Sequence, residues 1–134
     1  MKVGDLMVGD AILVDRYGPH FAVVLRVTEM AALIACGTSQ KRPDRDEVIV
    51  KPRSPAAVVI GLTAVTYFVA SGVGVLVDPA EIIRPATGRR CPPGVFHAIE
   101  DMAARALKDT PCEEADRLMA PLRAALDRSR TNRK

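Results

Sequence analysis

Tryptophan is missing from the sequence altogether, and aromatic side chains make up only 4% of its 134 residues. A core without large rings must be filled by Val, Ile, Leu and Ala, which favours thin, β-branched packing. Cysteine is sparse as well. Cys36, Cys91 and Cys112 are far apart, form no CxxC pair and have no histidine at ligand spacing, which argues against a disulfide framework or a zinc site and for free thiols. No stretch reaches the ~18–20 uninterrupted apolar residues that span a bilayer. Residues 1–9, with Lys2 and Asp5 among them, lack the apolar segment of a secretory signal. A cytoplasmic protein with no membrane association is therefore expected. There is also no local Ser-His-Asp motif, no Gly-rich phosphate loop, no HExxH and no EF-hand. Neither a cofactor nor a metal is expected.

What is present suits one folded unit: 49% hydrophobic and 26% charged residues in a chain long enough for a single core. The net charge of +3 is unevenly placed. Arg123, Arg128, Arg130, Arg133 and Lys134 face one acid, Asp127, at the C-terminal end. Such a tail can bind a polyanion, although a solvated helix end is its commoner meaning.

Apolar residues fall in short runs at 11–14, 21–27, 31–36, 48–50, 57–62, 65–69 and 73–77, most of them rich in Val and Ile. Turn-forming residues separate the runs, among them Gly18-Pro19, Gly37-Thr38-Ser39, Pro43-Asp44, Ser71-Gly72 and Asp78-Pro79. This pattern predicts several short strands. No connection leaves room for a crossover helix, so the pairing is expected to be antiparallel. Consecutive apolar positions within one run call for burial on both faces or strong bending, as in a small closed or half-closed barrel.

After Arg84 the texture changes. Val95, Phe96, Ile99, Met102, Ala103 and Ala106 recur at helical spacing and predict an amphipathic helix over 95–108. Thr110-Pro111-Cys112-Glu113 has the form of a capping box. A second helix to about residue 128, kinked at Pro121, presents Ala115, Leu118, Met119, Leu122 and Leu126 on one face. The expected architecture is mainly β: a barrel over 1–88 and a C-terminal helical hairpin with a basic tail over 89–134. The apolar helix faces pack on each other and the barrel, or on a second subunit.

Three constellations carry candidate chemistry. His20 follows the Gly18-Pro19 turn and opens the apolar run at 21–27, a loop-to-strand junction of the kind that hosts functional groups. Histidine can both take and give a proton near neutral pH, as cleavage of RNA by its own 2′-hydroxyl requires, yet a lone histidine is more often structural. His97, beside Phe96, reads as an ordinary surface residue. The second group is Gly37-Thr38-Ser39-Gln40-Lys41-Arg42. Turn N–H groups with the Thr38 and Ser39 hydroxyls suit a phosphate or ribose, and Lys41 and Arg42 suit the flanking backbone. A turn with solvated charges is the plainer meaning. The third is Thr66-Tyr67-Phe68, where Thr66 interrupts an apolar strand, Tyr67 offers a stacking face and Phe68 reads as core.

In order and spacing, these segments resemble the MazF/PemK family of toxin–antitoxin ribonucleases. The resemblance rests on Gly9-Asp10 before the run at 11–14, on Pro19-His20-Phe21, on Cys36-Gly37-Thr38-Ser39-Gln40, on Glu47-Val48-Ile49-Val50, and on Gly61-Leu62 followed by Thr66-Tyr67-Phe68. It covers roughly residues 9–83. It implies an SH3-like (CcdB-like) barrel, usually dimeric. The implied activity is growth inhibition through metal-independent cleavage of single-stranded RNA, with an antitoxin protein as cognate partner. Family members that cleave RNA typically place an arginine where this chain has His20 or Phe21. What the resemblance carries over is Thr38, Ser39 and Thr66, with His20 as a substitute.

Two other readings compete with the ribonuclease. One is a non-catalytic barrel that binds a nucleic acid, an antitoxin-like protein or a subunit of a phage or mobile-element assembly, favoured by the added helices. The other is a DNA-binding module built on those helices, which shows no helix-turn-helix spacing.

Overall fold

A computed structural model of the chain describes residues 2–16, 18–41, 46–84 and 89–109. Six strands form one antiparallel sheet: β1 (Ala11–Asp15), β2 (Pro19–Val27), β3 (Ala32–Thr38), β4 (Glu47–Val50), β5 (Thr66–Leu76) and β6 (Ile82–Arg84), in the order β4-β5-β3-β2-β1-β6. Among the described residues there are two α-helices, α1 (Pro55–Ile60) and α2 (Pro93–Asp109).

The uninterrupted apolar runs are explained by burial on both faces of β2 and β3. Val23, Leu25, Leu33 and Ala35 join α1 residues Ala57 and Ile60 and α2 residues Ile99, Met102, Ala103 and Leu107 in one buried cluster. Their alternating neighbours Ala22, Val24, Ala32 and Ile34 join Val3, Leu6, Ile12, Val14 and Leu76 in a second. Because side chains alternate along a strand, a segment covered on both sides needs no polar positions. Two ion pairs fix α2 against the sheet side: Arg26 to Glu100 at 3.1 Å, and Arg105 to Asp46 through two 2.8 Å hydrogen bonds. No described helix is long and apolar enough to cross a membrane.

Of the expected closed or half-closed barrel, full closure is not seen among the described residues. β4 and β6 are the edges of the sheet, so it remains open. It is nonetheless strongly curled: β1 and β5 are three places apart in the order, yet the Arg16 side chain just past β1 hydrogen-bonds the Val75 carbonyl on β5.

Three further expectations are corrected. The run at 57–62 is not a strand, since α1 covers most of it. Ser54 caps the helix by accepting a hydrogen bond from the Ala57 N–H at 3.2 Å, Pro55 takes the first turn, and Gly61 ends it in a left-handed conformation with φ of 93°. The burial pattern is helical too, with Ala56, Ala57 and Ile60 inside and Val58 and Val59 71% and 45% exposed. The runs at 65–69 and 73–77 are one bent strand, and Ser71-Gly72 is a bulge within β5 rather than a turn. Phe68 pairs with Gly37 and Val73 with Ala35, leaving four residues of β5 opposite Cys36 alone. A Cβ at Gly72 would collide with the Cys36 carbonyl oxygen, which is why the bulge carries a glycine. The short strand β6 has no counterpart among the expected runs. The second helix of the anticipated hairpin, its Thr110 cap, Pro121 and the basic tail lie outside the described residues.

Candidate functional site

The β1–β2 connection, the end of β3, the β5 bulge and the segment before β5 surround a cleft of about 660 Å³. Its walls bring together His20, Thr38, Ser39, Gln40 and Thr66, residues that are up to 46 positions apart in sequence (66 minus 20). Arg16, Phe21, Cys36 and Gly37 line it as well.

His20 is half-buried at the start of β2, and its Nδ1 lies 3.0 Å from the Gly18 carbonyl oxygen. A carbonyl only accepts, so Nδ1 carries the proton in this contact and the neutral ring keeps its lone pair on Nε2. The turn geometry that aims this carbonyl depends on Gly18, whose φ is 103°. Thr38 Oγ1 accepts from the Gln40 N–H at 3.2 Å, which folds the 38–40 turn against the cleft. Thr66 is 7% exposed and donates to the Ala64 carbonyl at 3.2 Å. Gly37 makes the close approach of β3 and β5 feasible: a Cβ there would lie 2.5 Å from Thr66 Cγ2 and 3.1 Å from the Phe68 ring.

Not every candidate sits in the cleft. Tyr67 pairs in register with Thr38 and Ile49 but does not line it. Lys41 is exposed, lies 4.0 Å from Glu47 Oε1, and is likewise outside the lining. Arg42 lies outside the described residues. Phe68 is fully buried. His97 is 69% exposed and 3.7 Å from Glu100, away from the cleft.

Arg16 is the residue that sequence reasoning did not single out. It reads as one residue of a short loop, and only the curl of the sheet carries its guanidinium to β5 and the cleft wall. The available signal was the hairpin register: with Asp15 opposite Pro19, Arg16 stands at the same end of the hairpin as His20.

Cys36 is held protonated. Burial pushes its thiol up to about 11, with Arg16 opposing and Glu81 reinforcing the shift, and burial alone does the same for Cys91. Neither thiol is a nucleophile at neutral pH. The folded protein keeps these protons at pH values where the unfolded chain, near the ordinary value of 9.0, gives them up. The contribution of these two thiols to stability is therefore fully present below pH 9 and is lost as pH rises through about 11. Iodoacetamide at pH 8 is expected to label both thiols slowly in the native state and rapidly in denaturant, and equal rates would contradict this burial.

No family model matches the sequence, and no curated protein matches it. Solved structures do. The Mycobacterium tuberculosis toxin MazF-mt6 superposes with a TM-score of 0.55 at 13% identity, over 74% of this chain and 96% of that one. A structure titled as an endoribonuclease from a mycobacterial species gives 0.56 at 17% identity, over 81% and 95%. A MazE–MazF structure from Deinococcus radiodurans gives 0.52 at 16% identity, over 75% and 93%. This chain thus has the fold of the MazF toxins: a curled antiparallel sheet with a C-terminal helix.

Proposed function

We propose that the protein is a MazF-like toxin, a metal-independent endoribonuclease that cleaves single-stranded RNA in the cleft between β2, β3 and β5. The observation that carries this reading is His20 with Nδ1 held by the Gly18 carbonyl, in the same cleft as the Thr38, Ser39 and Thr66 hydroxyls. Nε2 takes the proton of a ribose 2′-hydroxyl as its oxygen attacks the adjacent phosphorus. The 5′-oxygen leaves and takes a proton from water, the His20 imidazolium returns its proton to the resulting hydroxide, and a 2′,3′-cyclic phosphate remains. Thr38 and Ser39 hold the phosphate, while Gln40, Lys41, Arg42 and Tyr67 serve the flanking nucleotides. The curled sheet acts as an SH3-like barrel, the protein works in the cytoplasm as a homodimer, and a cognate antitoxin restrains it.

Support comes from a fold shared with proteins titled as toxins and endoribonucleases, one of them an endoribonuclease with its cognate antitoxin. Inducible expression tests the reading. Wild type should arrest growth and degrade total RNA, and His20→Ala and Thr38→Ala should relieve both. Unimpeded growth with intact RNA, together with a stably co-purifying partner, would instead favour the non-catalytic binder.

A further inference from the structure

Cleavage of a phosphodiester concentrates negative charge on the phosphate oxygens, and a positioned cation there is worth far more than one that must first be oriented. Lys41 is not at the cleft wall; Arg16 is. Its guanidinium is also built into place. Nη2 donates to the Val75 carbonyl and lies 3.4 Å from Glu81 Oε2, on the 3₁₀ turn Pro79–Glu81 that follows β5. Nη1 rests over Gly74, where a Cβ would come within 2.8 Å of it. The side chain is three-quarters buried, with 26% exposed. A backbone carbonyl, a carboxylate and a missing side chain thus converge on one guanidinium from β5, three places away from β1 in the sheet, and the turn that follows it.

We infer that Gly74, the Val75 carbonyl and Glu81 form a seat that positions Arg16 as the phosphate-binding cation of the cleft; this rests on the nuclease reading above. Arg16 touches the substrate. Glu81 and Gly74 act through it as positioning residues. Nothing in local sequence joins these residues, which lie 58 to 65 positions from Arg16 (74 minus 16, 81 minus 16). A methyl group at residue 74 meets only the far end of a flexible side chain. Gly74→Ala therefore displaces the guanidinium while sparing the fold.

The test is a double-mutant cycle on purified protein, with cleavage of a mixed-sequence RNA as the readout and thermal melting as a control on folding. Arg16→Ala should lower kcat by about 10²–10³-fold, the usual loss on removing one preorganised donor. Gly74→Ala should lower it by about 10–10²-fold through misplacement, with KM moving less and the melting temperature unchanged. Glu81→Ala should also slow cleavage, and Glu81→Gln, which keeps a hydrogen-bond acceptor, should recover part of the rate. The Arg16→Ala/Gly74→Ala double variant should be no slower than Arg16→Ala alone, because displacing an absent guanidinium costs nothing. Wild-type rates for Gly74→Ala or Arg16→Ala, or losses that multiply in the double variant, would overturn the seat.

Binding of a single-stranded DNA of the same sequence separates the two ideas. If wild type cuts no RNA but binds this DNA, and both single variants weaken binding without adding up, the seat stands and the nuclease reading falls. If wild type cuts no RNA and DNA binding is absent or indifferent to both variants, the seat falls with it.

Discussion

If the protein is the proposed ribonuclease, alanine at His20 is expected to lower the rate of RNA cleavage by about 10²–10⁴-fold, the usual contribution of a positioned general base or acid. The size of the loss follows from geometry. The Gly18 carbonyl at 3.0 Å fixes which ring nitrogen carries the proton in this contact, so the neutral ring of this cleft-lining residue keeps Nε2 as its acceptor without a search among tautomers. Among the described residues the cleft offers no replacement base, because the Cys36 thiol stays protonated and Thr38 and Thr66 are hydroxyls engaged in local hydrogen bonds. Stability should change little. His20 is half-buried at the start of its strand, and a hydrogen bond of this kind contributes about 1 kcal/mol. Single-turnover cleavage beside chemical denaturation of the same variant checks both statements. A His20→Ala protein that cuts at the wild-type rate would remove the imidazole from the chemistry.

Phe68→Ala destabilises the fold by about 3–5 kcal/mol, the usual cost of emptying a buried phenyl site. Among the described residues Phe68 is the largest fully buried side chain, and it sits in the cluster that joins β2, β3, β5, α1 and α2. Its ring packs under Gly37, where there is no side chain to swing into the vacated space. The melting temperature should fall by roughly 10–20 °C. Because Gly37 and Thr66 meet at the same point, the loss should also loosen the cleft wall, so residual activity at low temperature should drop together with stability. A shift of only a few degrees would contradict the central position given to this ring.

Much of the sheet was legible in the sequence because its cause is local. Val- and Ile-rich runs with no polar alternation mean strands covered on both faces, and β2 and β3 are such strands, with clusters on either side. The failures have equally definite causes. At 57–62, β-branched content suggested a strand, whereas Ser54-Pro55 ahead and Gly61 behind are helix start and stop signals, and they decide the matter. At 71–72, Ser71-Gly72 has the form of a turn signal. A bulge needs the same freedom, and only the Cys36 carbonyl lying against Gly72 distinguishes the two.

The cleft was legible in the same partial way. His20, Thr38, Ser39, Gln40 and Thr66 each flank a strand end, where residue type and position are visible in sequence, and the fold gathers them. Arg16 was not legible, since its place depends on curl across four strands of the sheet and on a glycine 58 positions away (74 minus 16). Pairing register can be guessed from a hairpin; a long-range guanidinium seat cannot.

As a ribonuclease of the proposed kind, the protein would cut RNA in this cleft through the 2′-hydroxyl without a metal. Purified protein, incubated in excess EDTA with a mixed-sequence single-stranded RNA and with a DNA of the same sequence, tests this most directly. The RNA is expected to be cut to fragments bearing 2′,3′-cyclic phosphate or its hydrolysis product, while the DNA survives. An RNA left intact, a DNA cut equally well, or fragments ending in a 3′-hydroxyl would contradict this reading.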